Sequence, residues 1–298
     1  MRRIASFRRL DILISAVLLL PAVVSAQSGG TITVGNDQIS FSVDWPTQAL
    51  HVSITRPVTA QGNAPAAKSR TQAAIRRDAA PLITQALLTV QLNAQFTLAE
   101  FVRGNGQTSR LQSIASRATP VDALSDPALQ TATVSFRLHL YEDVAAAFRT
   151  SAEVVPAPDR VGWTAAGEYT GLVIYAPDTL PVFGTSNRSR LTPALLPSLR
   201  HLDTSESQIF TLLESSMVQP AALDTIGPVL YHTDESAPAV RRRVGENPLR
   251  VIAIGAFGID PVDPVLQYED AQELLSTENN IGLLQEGRVV IIVSPDSL

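Results

Sequence analysis

The 298-residue sequence contains no cysteine. Disulfides, thiolate chemistry and cysteine-based metal centres are thereby excluded, and so is a lipid anchor, because no cysteine follows the N-terminal segment. Lysine is almost as scarce: Lys68 is the single example, the arginines are scattered, and the formal net charge is −5. A nucleic-acid binder needs clustered cations to displace counterions from phosphates, so the sequence argues against such a partner. Aromatic residues make up only 5% of the chain, which argues against a sugar-stacking surface or an aromatic-lined cofactor pocket as the organising feature.

The recognisable signatures of catalysis are missing as well. The four histidines, His51, His139, His201 and His232, are far apart and form no i, i+4 or HExxH pattern, so metal binding is not indicated. No serine sits in a G-x-S-x-G elbow or, past the N-terminal segment, in an S-x-x-K motif. Gly255-Ala-Phe-Gly258 follows an apolar run but leads to Asp260-Pro-Val-Asp-Pro264 rather than to a helix, and without a helix N-terminus it makes no phosphate site. Arg241-Arg-Arg243 reads as a solvated loop or an ion-pairing patch that Asp234, Glu235 and Glu246 can neutralise. Carboxylates remain, at Asp178, Asp203, Glu206, Asp234, Glu235, Asp260 and Asp263, and any two could form a glycosidase pair if the fold brought them together. No residue is assigned a catalytic, cofactor-binding or metal-binding role, and no cofactor is expected.

At the N-terminus, Arg2, Arg3, Arg8 and Arg9 precede an apolar run from Ile12 to Val24 that ends in Val24-Ser25-Ala26. That order is the order of a signal peptide. The run is shorter than the roughly 20 apolar residues that span a bilayer and carries Pro21, so it reads as a leader and not an anchor. A twin-arginine reading of Arg8-Arg9 is weakened by Asp11, where that signal favours an apolar residue. Cleavage after Ala26, periplasmic residence and no stable membrane anchor are expected. Cleavage would remove four arginines and one aspartate and leave the mature chain three charges more acidic.

Hydrophobic residues make up 45% of the chain, ample for cores, and the length past the leader exceeds one typical domain. Residues 39–43 and 50–54 alternate apolar and polar side chains, as in a hairpin with one buried face. A long helix is predicted from Pro65, with Ile75, Ala79, Leu82, Ile83, Ala86 and Val90 on one stripe and a kink at Pro81. The period then changes to two through Val90, Leu92, Ala94, Phe96 and Leu98, which predicts a strand. A short helix around residues 109–117, a strand over 131–141 and a helical turn over 142–148 complete the first half. Pro156-Ala-Pro158 reads as the linker. The second half offers strands at 169–175, 195–202, 229–232, 249–255 and 288–293, with one helix from Tyr268 to Thr277 that Asn279, Asn280 and Gly282 would stop. The expected class is α/β of the α+β type. A signal peptide over 1–26 precedes a helix-on-sheet domain over 27–155, mainly antiparallel, and a strand-rich domain over 160–298 with one C-terminal helix.

Taken in order, Val43-Asp-Trp45, Ala73-Ala-Ile-Arg-Arg-Asp-Ala-Ala80, Leu92-Asn-Ala-Gln-Phe-Thr97 and the segment Ala132 to Glu142 resemble a family of bacterial envelope proteins and lipoproteins. Its N-terminal domain resembles that of flagellar assembly protein T. Thr170 to Ile174, Pro193-Ala-Leu-Leu-Pro197, Glu269-Asp-Ala271 and Glu286 to Ile291 are similar to its C-terminal strands. The resemblance implies a helix packed on a small sheet and a role in the envelope rather than in catalysis, and some relatives help assemble the flagellar base. Two features depart from it: Tyr175-Ala176-Pro177 replaces an acidic residue and an arginine, and the lipid-accepting cysteine is absent. The expected function is therefore that of a non-enzymatic exported protein that binds other envelope proteins, flagellar basal-body components among them. The rival expectation is an exported glycan hydrolase working through an acidic pair.

Overall fold

Alternation along β2 (Asp37–Asp44), β3 (Ala49–Pro57) and β5 (Thr131–His139) decides the architecture of the first half. In a computed structural model that describes residues 29–59, 64–122, 130–148, 155 and 167–298, these strands lie antiparallel. With β1 (Gly29–Val34) and β4 (Thr119–Asp122) they form a five-stranded sheet in the order β1-β2-β3-β5-β4. Ile39, Phe41, Leu50, Val52, Ile54, Val134, Phe136 and Leu138 are buried on one face. Hydroxyls run across the other, where Ser53 bonds Ser135 and Thr55 bonds Thr133, both at 2.8 Å.

The buried face lies against α1 (Ala64–Leu88), whose Ile75, Ala79, Leu82, Ile83 and Ala86 are buried. Arg56 holds the two layers together, with Nε 2.6 Å from Asp37 on β2 and Nη1 3.1 Å from Asp78 on α1. The helix continues past Pro81 as one element. The strand expected over 90–98 does not form. Residues 89–97 make a tight loop in which the side chain of Asn93 accepts from the backbone amides of Gln95 and Phe96. That loop leads into α2 (Leu98–Asn105), started by a capping box between Thr97 and Glu100 and followed by α3 (Thr108–Ala115). Apolar residues at every second position here serve a folded-back loop, because Asn93 supplies the turn hydrogen bonds that a neighbouring strand would otherwise make. After β5 a π-helical turn, Leu140–Ala145, runs into α4 (Ala146–Phe148).

The second half is built on β6 (Leu172–Ala176), β11 (Leu230–His232), β12 (Leu249–Ile252) and β15 (Val289–Val293), a wholly parallel sheet in the order β11-β15-β6-β12. A second sheet, in the order β10-β9-β14-β13, joins β9 (Leu199–Leu202), β10 (Ile209–Leu213), β13 (Gly255–Phe257) and β14 (Asp263–Leu266). A two-residue ribbon pairs β7 (Leu180–Pro181) with β8 (Arg188–Ser189). The fold is thus α+β in two domains, as expected, but the second domain carries more helix than the one segment predicted. It holds α5 (Pro220–Thr225), α6 (Pro238–Val244), α7 (Tyr268–Leu274) and α8 (Glu278–Gln285). Asn279, Asn280 and Gly282 lie inside α8 and do not stop α7: Thr277 caps α8 by accepting from the Asn280 amide. The arginine run is helical too, on α6, and Arg243 is buried. The leader and the Pro156–Pro158 linker lie outside the described residues.

One large hydrophobic cluster runs through both domains, and a smaller one lies within the second, between its parallel sheet and α6. Trp45 meets Tyr231 edge-on at 5.5 Å between ring centroids. Gly227, at φ +74, lies so close under Tyr141 that a Cβ would come within 2.2 Å of the ring, and only glycine accepts both conditions. Main chain is shared as well: Leu195 and Leu196 donate to the carbonyls of Gln91 and Leu92, and Ile259 donates to that of Ala94.

Candidate functional site

The loop over 89–97 and the second sheet enclose a cleft of about 230 Å³. Its floor is ionic. Asp263 on β14 is 1% exposed and accepts from Arg200 Nε at 2.8 Å and from the Ser198 amide at 2.9 Å, one bond to each carboxylate oxygen. Burial pushes this carboxyl above its usual range, and the Ser198 and Arg200 hydrogen bonds only partly offset it. Arg200 also lies 4.5 Å over the Phe257 ring, a cation–π contact that fixes its plane. Across the cleft stand Glu214, which accepts a bond from Ser216, and Phe101 and Phe148, packed edge-on at 5.9 Å.

Beside the cleft, and sharing Ala94, Gln95 and Phe257 with it, opens an apolar groove of about 430 Å³ between Phe96, Phe183 and Ile259. Phe96 is 42% and Ile259 85% exposed. Their loops are fixed to each other, because the Ile259 amide donates to Ala94 at 3.1 Å and Gln91 Nε2 donates to Asp260 at 3.0 Å. The apolar side chains are therefore held out in water by design of the backbone and not by fraying. Contiguous exposed apolar surface of this kind marks contact sites.

Scarcity of aromatics was a misleading guide here. Five of the nine phenylalanines line the cleft and groove, drawn from segments that lie far apart in the sequence.

Of the carboxylates considered from the sequence, Asp263 alone lines the cleft, and its partner there, Glu214, had not been singled out. Asp260 braces the 89–97 loop. Asp203 organises an exposed turn through Ser205, Ser207 and Gln208, which lowers its pKa to about 2, the Ser205 hydroxyl contributing most. Glu235 accepts from the Tyr175 hydroxyl and from Arg250, the first being the larger cause of its lowered pKa. Asp234 starts the turn before α6 by accepting from Ser236. Asp178 and Glu206 are exposed. The histidines stay dispersed: His201 stacks on Phe210 at 5.7 Å, and His232 Nδ1 accepts from the Asp234 amide. Among the described residues no three acidic or imidazole side chains converge as a cation site would require.

Two family models match the chain. One, described as Treponema pallidum Tp0624, N-terminal domain, covers residues 37–147. The other, described as Treponema pallidum Tp0624, second domain, covers residues 171–295. No curated protein matches the chain.

Proposed function

We propose, from the premise that this chain belongs to the two-domain bacterial family represented by the N-terminal and second domains of Tp0624, that it is an exported, non-enzymatic envelope protein whose domain junction docks another protein. The observation that carries this reading is the pairing of Phe96 and Ile259, exposed on two loops that the main chain locks together. An extended segment fits the groove if it offers an aliphatic or aromatic side chain to Phe96, Phe183 and Ile259 and, next to it, a cation to Glu214. Glu214 is the carboxylate of the cleft that no cation neutralises among the described residues, since Arg200 is spent on Asp263. The acidic net charge of the chain favours the same kind of partner. The basic, apolar run and Val24-Ser25-Ala26 support export to the periplasm, and the flagellar base is the assembly to examine first.

Cross-linked native cells carrying a C-terminally tagged copy, purified and read by mass spectrometry against an untagged control, test this. Recovery of envelope proteins, flagellar basal-body components among them, which disappears in a Phe96→Ser, Ile259→Ser variant, is the expected result. Recovery that is unchanged by the variant would remove the groove from the account.

The second reading, an exported glycan hydrolase, rests on Glu214 and Asp263 sharing one cleft. It needs one of them to give up a proton to a leaving group. Asp263 is poorly placed for that, because both oxygens are engaged and the group is sealed from solvent. Turnover of peptidoglycan by the purified protein, lost in Glu214→Gln, would establish the hydrolase instead.

A further inference from the structure

Elsewhere along the junction lies a groove of about 440 Å³ where Pro46 and Gln48 of the first domain face Arg242, Arg243, Glu286 and Arg288 of the second. In an acidic chain this is a concentrated basic surface. Three guanidiniums meet one carboxylate, and that carboxylate is only loosely engaged, with Arg288 Nη1 3.8 Å from Glu286. No salt bridge among the described residues involves Arg242 or Arg243.

Arg243 is the unusual member. It is buried at 8% exposure, and its two terminal nitrogens donate to the carbonyls of Ile226 and Gly227 at 2.7 and 2.6 Å. Its Nε has no hydrogen-bond partner. Burial lowers its pKa to about 10, offset only in part by the neighbouring Tyr141. A buried cation satisfied by neutral carbonyls keeps its full charge, and that charge acts strongly where water is scarce.

The backbone around it is held rigid. Gln48 adopts φ +56, uncommon for a residue with a side chain. It is fixed there by its amide to Trp45, its carbonyl to the Leu140 amide and its side chain to Ile226. The carbonyls that hold Arg243 thus belong to the same loop that Gln48 and Tyr141 press against from the first domain.

From these observations we propose that the groove between Gln48 and α6 is a binding site for a phosphate monoester, held by Arg242 and Arg288 in the field of the buried Arg243. The charge matches: three arginines against one glutamate leave two positive charges, and a phosphate monoester carries about −1.5 to −2 near pH 7. Guanidinium also presents paired donors that suit phosphate oxygens. A ligand bridging Arg242 and Arg288 would tie α6 to the start of β15 within the second domain, so binding stabilises that domain.

Isothermal titration of the purified protein with inorganic phosphate, at constant ionic strength, reads the site directly. Sedimentation with vesicles of phosphatidylcholine with and without phosphatidic acid forms the second arm. Saturable binding in either arm is expected, with about tenfold loss of affinity for each guanidinium removed in Arg242→Gln and Arg288→Gln. Both side chains are at least partly exposed, so the variants fold. Arg77→Gln, which removes an exposed charge on α1, keeps the parental affinity. Binding to free phosphate identifies a soluble ligand, and binding confined to the phosphatidic acid vesicles identifies a headgroup. Binding in neither arm, or binding that survives the double variant, overturns the proposal.

Discussion

The two domains solve the same burial problem in opposite ways. The first turns one face of an antiparallel sheet to α1 and leaves the other to water, where Ser and Thr hydroxyls bond across the strands. The second is organised on a parallel sheet whose central strands β6 and β15 are covered on both faces, with every residue of β15 buried and the edge strand β12 left open. Parallel sheets need such cover, and part of it comes from the first domain through Trp45 and Tyr141. The difference teaches that the second domain depends on its neighbour more than the first does. It also leaves the seam loops to serve both packing and solvent.

The sharpest way to break this comparison is to remove the bridge. Tyr231→Ala deletes a fully buried ring from the seam and is expected to cost about 3–5 kcal/mol. Hydrogen exchange should then show lost protection in both β5 and β15, whereas loss confined to β15 would mean that the domains are independent. Gly227→Ala brings a methyl against Tyr141 at positive φ and should cost about 2 kcal/mol, read as a lower urea midpoint with unchanged slope. Thr97→Ala, which breaks the capping box before α2, should cost about 1 kcal/mol, read first as lost hydrogen-exchange protection in α2.

The smallest effect is one of pH. Asp263 has a raised folded pKa, so the fold favours its protonated form. Its contribution to stability is full below the ordinary aspartate value and is lost as pH rises through the raised one. Melting curves of the parent should therefore gain less from a rise in pH across that window than those of Asp263→Asn, in which this titration is absent. Parallel pH profiles for the two proteins would contradict the assignment.

How much of this the sequence discloses follows from the same asymmetry. The strands β2, β3 and β5 alternate because one face is wet, so their period is visible in residues 39–43, 50–54 and 131–139. β6 and β15 show only as short apolar runs, which carry no information about direction or order. The helix α8 was hidden because Asn279, Asn280 and Gly282 are helix-stopping residue types, yet Asn280 is fully buried and bonded to the Gly167 carbonyl and the Tyr169 amide. Tertiary contacts there override propensity. Alternating apolar residues over 90–98 predict a strand, although Asn93 turns the chain back. The site was least legible: Phe96, Phe257, Ile259, Arg200 and Glu214 come from segments with no shared spacing, and only folding gathers them. Each considered alone is an ordinary loop or strand residue.

Two exposed isoleucines allow the central claim to be tested within one molecule. Ile252 is 70% exposed on the edge strand β12, and Ile259 is 85% exposed in the junction groove. A photo-crosslinking amino acid placed at each position in turn, in cells producing the protein, measures which surface meets a partner. The account predicts a discrete adduct from position 259, mapping to a segment with an apolar residue beside a lysine or arginine, weakened by Glu214→Gln and absent from position 252. An adduct from 252 alone, or one from 259 that is indifferent to Glu214→Gln, would contradict it.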